Sequence, residues 1–488
     1  MVVLPVVRTR FAASRQLSDI GSSPAGTKIA VIGGGVAGMS AAWHLHEHGF
    51  DVKVFERNGR IGGDVQTIDV MIGGEKRWVD LGVNDFNAST YRHLVTMFDR
   101  LGVEYLRLED TSCYFTLDGS VLYTSDGRWG TAAPEAIKRD VARFSREAPE
   151  VLTNPAYKYT LVKEYVKEQG YSDEFVRHNL YPRINGMYFF NREDIGSTLL
   201  WPVMRYYSLQ EGLNHDGPPR AERMYFVDGS AQWMEKLYEA AKAKFPIALN
   251  AEASIRASSS GVTVYTRDHV ERFDKVVLTQ QAWDALRCVK DGLTAELASF
   301  LGSFDYYDDE VVVHNYYGVL PPRVGAWRTY NILIRGNVTA PSPYLMTYAV
   351  NRHQNDTFNP EYLRVGTPHF FASVNPPVPI PDTNVLRQPD GTPARMLFRH
   401  TACNLKAVRA QERRSDLQGI NNIYVTGGYA RGVGLHEECW IDGMELAAHI
   451  KRAQEYGPVY EYSSENDYYP PRGVRETVTT SRINPPRS

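Results

Sequence analysis

Cysteine is scarce in this sequence. Its 488 residues include only Cys113, Cys288, Cys403 and Cys439, and no two of them form a CxxC pair. Isolated cysteines argue against a disulfide scaffold and lack the spacing of a zinc site. We therefore predict no bound metal, and the cysteines do not indicate a cellular compartment.

Long apolar runs and an excess of charge are also missing. No window of about 18 apolar residues occurs, so we predict no transmembrane segment. Lys and Arg total 54 against 57 Asp and Glu, a net charge of −3, which gives no electrostatic reason to expect nucleic acid as a partner. The apolar run Val2 to Val7 is too short for a secretory signal. We expect a soluble protein, either cytoplasmic or, after N-terminal processing, organellar or secreted.

Aromatic residues are plentiful, with 30 Tyr, 19 Phe and 8 Trp. This surplus suits a large apolar pocket with polar edges, and it equally suits an ordinary core. With 43% hydrophobic and 23% charged residues, the composition is that of a globular chain with two or three domains' worth of core.

The first ordered stretch predicts a strand, a glycine-rich turn, a helix and a second strand. KIAVI, residues 28–32, and DVKVFE, residues 51–56, are apolar runs typical of buried parallel strands. Val36 and Ala37 open the intervening helix, and Gly49 marks its end. The stretch is therefore one βαβ unit.

The turn of this unit carries the fingerprint of a dinucleotide site. Gly33 permits the tight turn, Gly35 lets the backbone approach a pyrophosphate, and Gly38 lets the helix pack closely on the strand. The helix N-terminus then offers free N–H groups to the phosphates. Glu56 lies 18 residues past Gly38 and can accept both ribose hydroxyls of an adenosine. The fingerprint alone does not distinguish FAD from NAD.

The next residues favour a long cofactor. The run ERNGRIGG, residues 56–63, contains Arg57 and Arg60, of which Arg60 could neutralise a second phosphate. Gly62 and Gly63 let the chain run flat along the cofactor, although a solvated turn is the alternative. Together with GGGVAG and the later Asp80-Leu81-Gly82, the run resembles the FAD signature of the flavin amine oxidase and phytoene desaturase superfamily.

The resemblance continues along most of the ordered chain. FVDGSAQWMEKL (226–237) and DKVVLTQQAWDAL (274–286) resemble later parts of the FAD domain, and IYVTGGYARGVGLHEECWIDGMELA (423–447) resembles its C-terminal motif. The resemblance implies a strand that delivers backbone to the ribityl chain and a helix N-terminus near the flavin pyrimidine. The implied cofactor contacts in these later segments are Ala253, Thr279, Gly427, Gly428, His436 and Glu437.

The resemblance also implies the domain organisation. We expect an α/β fold in which a Rossmann-type, glutathione-reductase-like FAD-binding domain is built from three chain segments and an α+β substrate domain is inserted. The expected FAD segments are 28–88, 223–300 and 416–456. The substrate domain takes 89–222, mostly helical, and 301–415. Residues 1–27 and 457–488 are expected to be flexible.

Within the superfamily the chain most resembles a branch of predicted FAD-binding oxidoreductases. The runs that carry this likeness are NRHQN (351–355), SVNPP (373–377) and the G-x-G-L-H-E-E stretch (432–438). A weaker resemblance to flavin-dependent polyunsaturated fatty acid isomerases lies in Asp228-Gly229-Ser230 and in Glu437-x-Cys439.

Several positions depart from the common pattern. Gly428 stands where many relatives carry an acid, and Asp64 stands where many carry Arg or His. No clear match exists for the lysine that holds a water near the flavin of many amine oxidases. Cys439 is not in the sequence context of covalent flavin attachment, so we expect FAD to be held non-covalently.

The candidate catalytic residues are His436, Glu437, Tyr348 and Trp327. His436 and Glu437 precede the predicted last helix, 443–457, and could contact the flavin or simply cap the helix. By family analogy the strands carrying Trp327, Tyr330, Tyr348 and Asn351 face the flavin, although each aromatic could equally be core. Arg352 and His353 could anchor a substrate carboxylate or lie on the surface.

These observations predict an FAD-dependent oxidoreductase that takes a hydride from a substrate C–H bond onto flavin N5. Its reaction would be oxidation of an amine or amino acid, or desaturation of an apolar chain. The alternative is isomerisation of a polyunsaturated fatty acid, in which the hydride returns at another carbon. A non-enzymatic flavoprotein scaffold also remains open. The substrate is expected to be small and apolar or amphipathic.

Overall fold

The computed structural model describes residues 26–82, 84–128, 132–188, 195–210, 222–336, 343–354 and 368–456. The terminal segments that were expected to be flexible lie outside this range, apart from residues 26 and 27. The strands are β1 (Lys28–Ile32), β2 (Asp51–Phe55), β3 (Thr67–Ile72), β4 (Glu75–Asp80), β5 (Phe86–Asn87), β6 (Tyr105–Arg107), β7 (Ser112–Thr116), β8 (Val121–Thr124), β9 (Arg223–Phe226), β10 (Ile247–Ala248), β11 (Ser254–Ser258), β12 (Gly261–Tyr265), β13 (Val270–Phe273), β14 (Lys275–Leu278), β15 (Val289–Asp291), β16 (Tyr306–His314), β17 (Tyr330–Ile334), β18 (Tyr344–Ala349), β19 (Phe371–Val374), β20 (Arg395–Thr401) and β21 (Ile423–Val425).

The helices lie between groups of these strands along the chain. They are α1 (Val36–Glu47), α2 (Arg92–Leu101), α3 (Glu135–Thr153), α4 (Val162–Glu168), α5 (Asp173–Phe175), α6 (Tyr181–Tyr188), α7 (Leu200–Gln210), α8 (Ala231–Lys242), α9 (Ala282–Cys288), α10 (Ala295–Leu301), α11 (Val350–His353), α12 (Leu405–Glu412) and α13 (His436–Tyr456). None of the helices within the described ranges has the length and apolar character needed to cross a membrane.

A five-stranded parallel sheet contains the predicted βαβ unit. Its strand order is β10-β2-β1-β14-β21, so strands from distant parts of the chain lie side by side. Ile29 and Val31 of β1 are fully buried, because helices cover both faces of such a sheet. The strand predicted at 28–32 is confirmed, and the sheet is that of a Rossmann-type α/β fold.

The last helix begins earlier than the sequence predicted. It starts at His436 rather than Gly443, so His436 and Glu437 belong to its first turn instead of preceding it. The helix α13 packs on α1 at close range, and a Cβ at Gly443 would lie 2.5 Å from the Ala37 carbonyl oxygen. Only a glycine permits this approach, which brings the C-terminal helix beside the glycine-rich turn.

A second, seven-stranded sheet has the order β20-β16-β19-β18-β17-β7-β8. An antiparallel hairpin of β7 and β8 forms one edge of this sheet, and Gly119 in its turn has a φ of +82°. The helices α3 to α7 pack on one face, where Phe144, Ile184 and Val203 join Ile332 of β17 in one apolar cluster.

Three smaller sheets complete the fold. Their orders are β13-β12-β11-β15, β3-β4 and β5-β9-β6. Strand β9 opens the segment expected to return to the FAD domain, yet it pairs with β5 and β6 rather than with the five-stranded sheet. The boundaries of the expected segments therefore stay predictions.

Candidate functional site

A cavity of about 1140 Å³ lies where the two large sheets meet. Ile32 and Phe55, at the carboxyl ends of β1 and β2, line one part of it. Val311, Ala372 and Val374 of the seven-stranded sheet line another part. The carboxyl edge of a parallel α/β sheet is where such folds bind nucleotides, so the glycine-rich turn opens into the expected place.

The three glycines of the turn play distinct roles. Gly33 has a φ of +113°, and a Cβ at Gly38 would lie 2.0 Å from the Gly33 carbonyl oxygen. A Cβ at Gly35 would meet nothing closer than Gly63 Cα, at 4.0 Å, so this position borders open space within the cavity. Gly33 and Gly38 thus allow the turn and the helix packing, while Gly35 leaves room for a ligand.

The start of α1 suits a phosphate. Val36 and Ala37 line the cavity, and the first turn of the helix carries no acidic residue. The N-cap residue Gly35 offers no side chain to the free N–H groups. These groups and the helix dipole are therefore available to an anion.

Glu56 is buried at the end of β2 and also lines the cavity. Its Oε2 accepts a hydrogen bond from the Gly34 N–H at 2.7 Å, and its Oε1 accepts one from the Asn58 N–H at 2.8 Å. The backbone fixes the carboxylate beside the turn. Its remaining lone pairs can accept ribose hydroxyls.

Of the two arginines that follow Glu56, only Arg57 lines the cavity. Arg57 lines it and donates to Asp284 at 3.0 Å. The Arg60 guanidinium instead donates to the carbonyls of its own loop, at Ile61, Gly63 and Val65, and does not line the cavity. The structure thus gives no support to a phosphate contact from Arg60.

Gly62 and Gly63, two predicted cofactor contacts, lie beside the glycine-rich turn. Both glycines line the cavity, and Gly62 forms a parallel bridge with Gly35. Thr279, after β14, and Ala253 line the same cavity. These predicted cofactor positions are brought together around one space.

The C-terminal loop supplies a further wall. Gly428, Gly434, His436 and Cys439 line the cavity, whereas Gly427 does not. Burial lowers the pKa of His436 to about 4, so its ring is neutral near pH 7. Its Nδ1 is buried and has no hydrogen-bond partner among the described residues.

Glu437 contacts the helix α2 rather than the cavity. It does not line the cavity, and its carboxylate accepts the N–H groups of His93 and Leu94, both at 2.9 Å. Glu437 therefore caps the N-terminus of α2, and burial raises its pKa to about 7. Helix capping, the alternative to a flavin contact, therefore describes Glu437. The helix that it caps is α2, whereas Glu437 itself belongs to α13.

Of the aromatic candidates, Tyr348 lines the cavity and Trp327 does not. Trp327 packs with Ala349 and Phe371, and its Nε1 donates to the Pro321 carbonyl. The structure thus places Trp327 in the core. Its predicted catalytic role has no geometric support.

The other candidates on these strands have structural partners. Asn351 bonds the backbone of Pro368 and Phe370, and Arg352 donates to Glu109 at 3.2 Å. Tyr330 donates to Asp85 at 2.9 Å, and His353 Nε2 lies 3.6 Å from the same carboxylate. None of these four residues lines the cavity. Asp85, however, does.

Sequence reasoning missed several cavity residues. Asp85 lies three residues past the recognised Asp80-Leu81-Gly82 signature, which was the available signal. Arg223 forms a buried ion pair with Asp85 at 3.1 Å. No pattern in the sequence indicated Arg223, because it comes from β9, far along the chain.

A second missed pair is His400 with Asp309. His400 lines the cavity, and its Nδ1 lies 2.6 Å from Oδ2 of the buried Asp309. Asp64, one of the departures from the family pattern, also lines the cavity, and burial raises its pKa. Among the described residues no cluster of His, Cys, Asp and Glu has the arrangement of a metal site.

Comparisons with known proteins agree with this geometry. The chain is 37% identical over 100 residues to the flavin-dependent L-tryptophan oxidase RebO of Lentzea aerocolonigenes. The matched residues are 20% of this chain and 21% of that protein. It is 29% identical over 108 residues to the zeta-carotene desaturase of a Synechocystis strain, 22% of this chain and 21% of that protein. The matches thus span about a fifth of these curated relatives.

A solved structure extends the likeness of fold to most of the chain. The CLA-producing fatty acid isomerase from P. acnes matches with a TM-score of 0.58 and 16% identity, over 86% of this chain and 98% of that one. The sequence profile of the flavin containing amine oxidoreductases matches residues 36–307, more than half of the 488-residue chain. A flavin that binds at a dinucleotide turn is FAD. The protein belongs to the flavin-containing amine oxidoreductase family.

Proposed function

We propose that this protein is an FAD-dependent oxidoreductase that removes a hydride from a C–H bond of a small, apolar or amphipathic substrate. Oxidation of an amine or amino acid and desaturation of an apolar chain are the two reactions of this class that we retain. The observation that carries the proposal is a cavity lined both by the dinucleotide cradle and by residues of the seven-stranded sheet. When bound, FAD supplies the hydride acceptor.

The residues of the cradle fit such a cofactor. The turn residues Gly33 and Gly35, with Val36 and Ala37, would hold the phosphates at the start of α1, and Glu56 would hold the adenosine ribose. Gly428 and His436 line the same cavity at the C-terminal loop.

The rest of the cavity is suited to exclude water from a substrate. Val311, Ala372 and Val374 form an apolar wall, and Tyr348 adds an aromatic ring. His436 is neutral near pH 7, so it would orient a ligand by a hydrogen bond rather than by charge. These residues bind and orient the substrate, and they shield the reacting carbon from water.

The second candidate function is isomerisation of a polyunsaturated fatty acid. The apolar wall on the sheet favours an extended hydrocarbon, and the sequence has no clear match for the lysine of many amine oxidases. In this reaction the hydride returns to another carbon of the same chain, and no external electron acceptor is consumed.

An anaerobic absorbance titration separates these functions. Purified protein would be mixed with amines, with amino acids and with a polyunsaturated fatty acid. Bleaching of the flavin by one substrate, reversed by air, supports the oxidoreductase. A growing conjugated-polyene band with the flavin still oxidised supports the isomerase. A colourless protein that takes up no FAD contradicts both functions, and the Gly35→Asp variant serves as the matched negative control.

We also propose that FAD is held without a covalent bond. The Cys439 thiol donates to the Gly434 carbonyl, and burial raises its pKa, which disfavours the nucleophilic thiolate. We expect acid precipitation to release all of the flavin into the supernatant, measured by its fluorescence. Yellow colour retained in the pellet would contradict non-covalent binding.

A further inference from the structure

The C-terminal loop, residues 426–435 between β21 and α13, has a conformation that needs support from its surroundings. Gly432 has a φ of +53° and Gly434 a φ of +76°. Glycine loses more conformational freedom on folding than any other residue, so a loop built on two such turns is costly to order. Several residues of this loop nevertheless line the cavity. Contacts from behind the loop must therefore keep it in place.

The side chain of Glu438 supplies such contacts. Its Oε2 accepts the N–H groups of Val433 at 2.9 Å and Leu435 at 3.1 Å, and both of these residues line the cavity. Its Oε1 accepts a hydrogen bond from Arg205 Nε at 2.5 Å. A Cβ at Gly432 would collide with this same oxygen. One carboxylate thus fixes the backbone of the loop on one side and an arginine on the other.

Arg205 and Glu438 form a buried ion pair. Their side chains are 3% and 1% exposed, and neither residue lines the cavity. Removing two charges from water costs about as much as their attraction returns, so the pair is weak evidence for stability. Because Glu438 bonds residues of the cavity wall, the pair lies directly behind that wall. Removing either partner would leave an uncompensated charge there.

Arg205 belongs to a helix that also borders the cavity. Its neighbour Tyr206 and the last residue of α7, Gln210, both line the cavity. Val203 of the same helix packs with Ile332 of the seven-stranded sheet. The ion pair therefore connects the helical layer of that sheet to the C-terminal loop.

The order of the five-stranded sheet indicates which half of FAD meets this loop. Glu56 follows β2, the glycine-rich turn follows β1, and the C-terminal loop follows β21 at the opposite edge of the sheet. The pyrophosphate joins the two halves of FAD. With the adenosine ribose at Glu56 and the phosphates at the turn, the flavin half would extend toward the C-terminal loop.

Building on the proposed function, we propose that Arg205 and Glu438 are positioning residues that hold the C-terminal loop against the flavin half of FAD as a charge-neutral pair. A hydride carries two electrons and one proton, so its transfer adds one negative charge to the flavin ring. An uncompensated Arg205 would therefore favour reduced FAD, and an uncompensated Glu438 would favour oxidised FAD. In the intact pair the two charges offset each other.

The reduction potential of the bound flavin tests this role. FAD-loaded protein would be equilibrated anaerobically with a reference dye at pH 9, so that a lone Glu438 stays ionised. Glu438→Gln keeps the size of the side chain and an oxygen for the loop N–H groups. We expect it to raise the ratio of reduced to oxidised FAD about tenfold, which is about 30 mV for a two-electron couple.

Arg205→Met should lower this ratio about tenfold, because the Glu438 carboxylate then lacks its counter-charge. The double variant Arg205→Met/Glu438→Gln removes both charges and should return to within about threefold of the wild type. The matched control is Arg328→Met. Arg328 is a buried arginine paired with Asp126 at 3.0 Å, and neither of these two residues lines the cavity. The control should lower the stability in urea and leave the potential unchanged.

Shifts of the same sign in both single variants would overturn the inference, as would shifts below threefold in both. An ion pair with only a structural role would change the stability in urea without changing the potential. If one single variant does not fold, the sign of the shift in the other decides. A wild-type protein that takes up no FAD would instead contradict the proposed function, whereas substrate-reducible, FAD-loaded variants with the wild-type potential would contradict only the role of this pair.

Discussion

At the scale of single residues, Gly35 controls access to the dinucleotide cradle. Because a Cβ there has room, Gly35→Asp should fold, while its carboxylate should repel the phosphates of FAD. We expect FAD affinity to fall by roughly 100-fold or more, given the strength of a like-charge contact in a partly buried site. Fluorescence titration measures the affinity, and circular dichroism checks the fold. Unchanged FAD uptake by a folded variant would contradict the assignment.

Gly38 should respond to substitution in the opposite way. A Cβ at Gly38 would lie 2.0 Å from the Gly33 oxygen and 2.6 Å from Thr279 Oγ1, so the helix must move away from the strand. We expect Gly38→Ala to lower the free energy of unfolding of the apoprotein by about 1–3 kcal/mol, as overpacking does. Gly35→Ala is the matched control and should change it little. Urea denaturation distinguishes the two, and equal stability of both variants would rule out this packing role.

At the scale of elements, Glu437 joins α13 to α2. Its pKa of about 7 exceeds the ordinary 4.5, so between these values the folded protein binds more protons than the unfolded chain. The unfolding free energy should therefore fall as pH rises from 4.5 to 7, by up to roughly 3 kcal/mol relative to Glu437→Gln, whose side chain does not titrate.

The measurement is urea denaturation of the apoprotein at several pH values between 4 and 8. Glu239→Gln replaces an exposed carboxylate on α8 and serves as the control, which should follow the wild-type curve. Parallel stability curves for the wild type and Glu437→Gln would show that the cap does not titrate in this range.

At the scale of the whole molecule, one cavity is lined by both large sheets. A cofactor bound there contacts chain segments from residue 32 to residue 439, so it should stabilise the chain as a unit. We expect saturating FAD to raise the melting temperature of the apoprotein. At an FAD concentration a hundred times the dissociation constant, the free energy of unfolding should rise by about 2.7 kcal/mol. Differential scanning calorimetry measures the shift. Gly35→Asp should show none, and an unshifted wild type would argue against a cofactor in this cavity.

The local elements of the dinucleotide unit were predictable because short-range chemistry determines them. The apolar run at 28–32, the three glycines and Glu56 together indicate a strand, a turn and a phosphate-binding helix from neighbours alone. The prediction for the last helix was wrong at its start because Gly443 resembles a boundary. In the structure that glycine lies within α13, where it allows close contact with α1.

The sequence by itself therefore determined the fold class, the family resemblance and the cradle for FAD. Only the tertiary structure decided which side chains reach the cavity. In that structure Trp327 lies in the core, Glu437 caps the start of α2, and Arg223 forms an ion pair with Asp85. The physical reason is that these contacts join residues far apart in the chain. Their geometry depends on how the sheets pack, which no local pattern encodes.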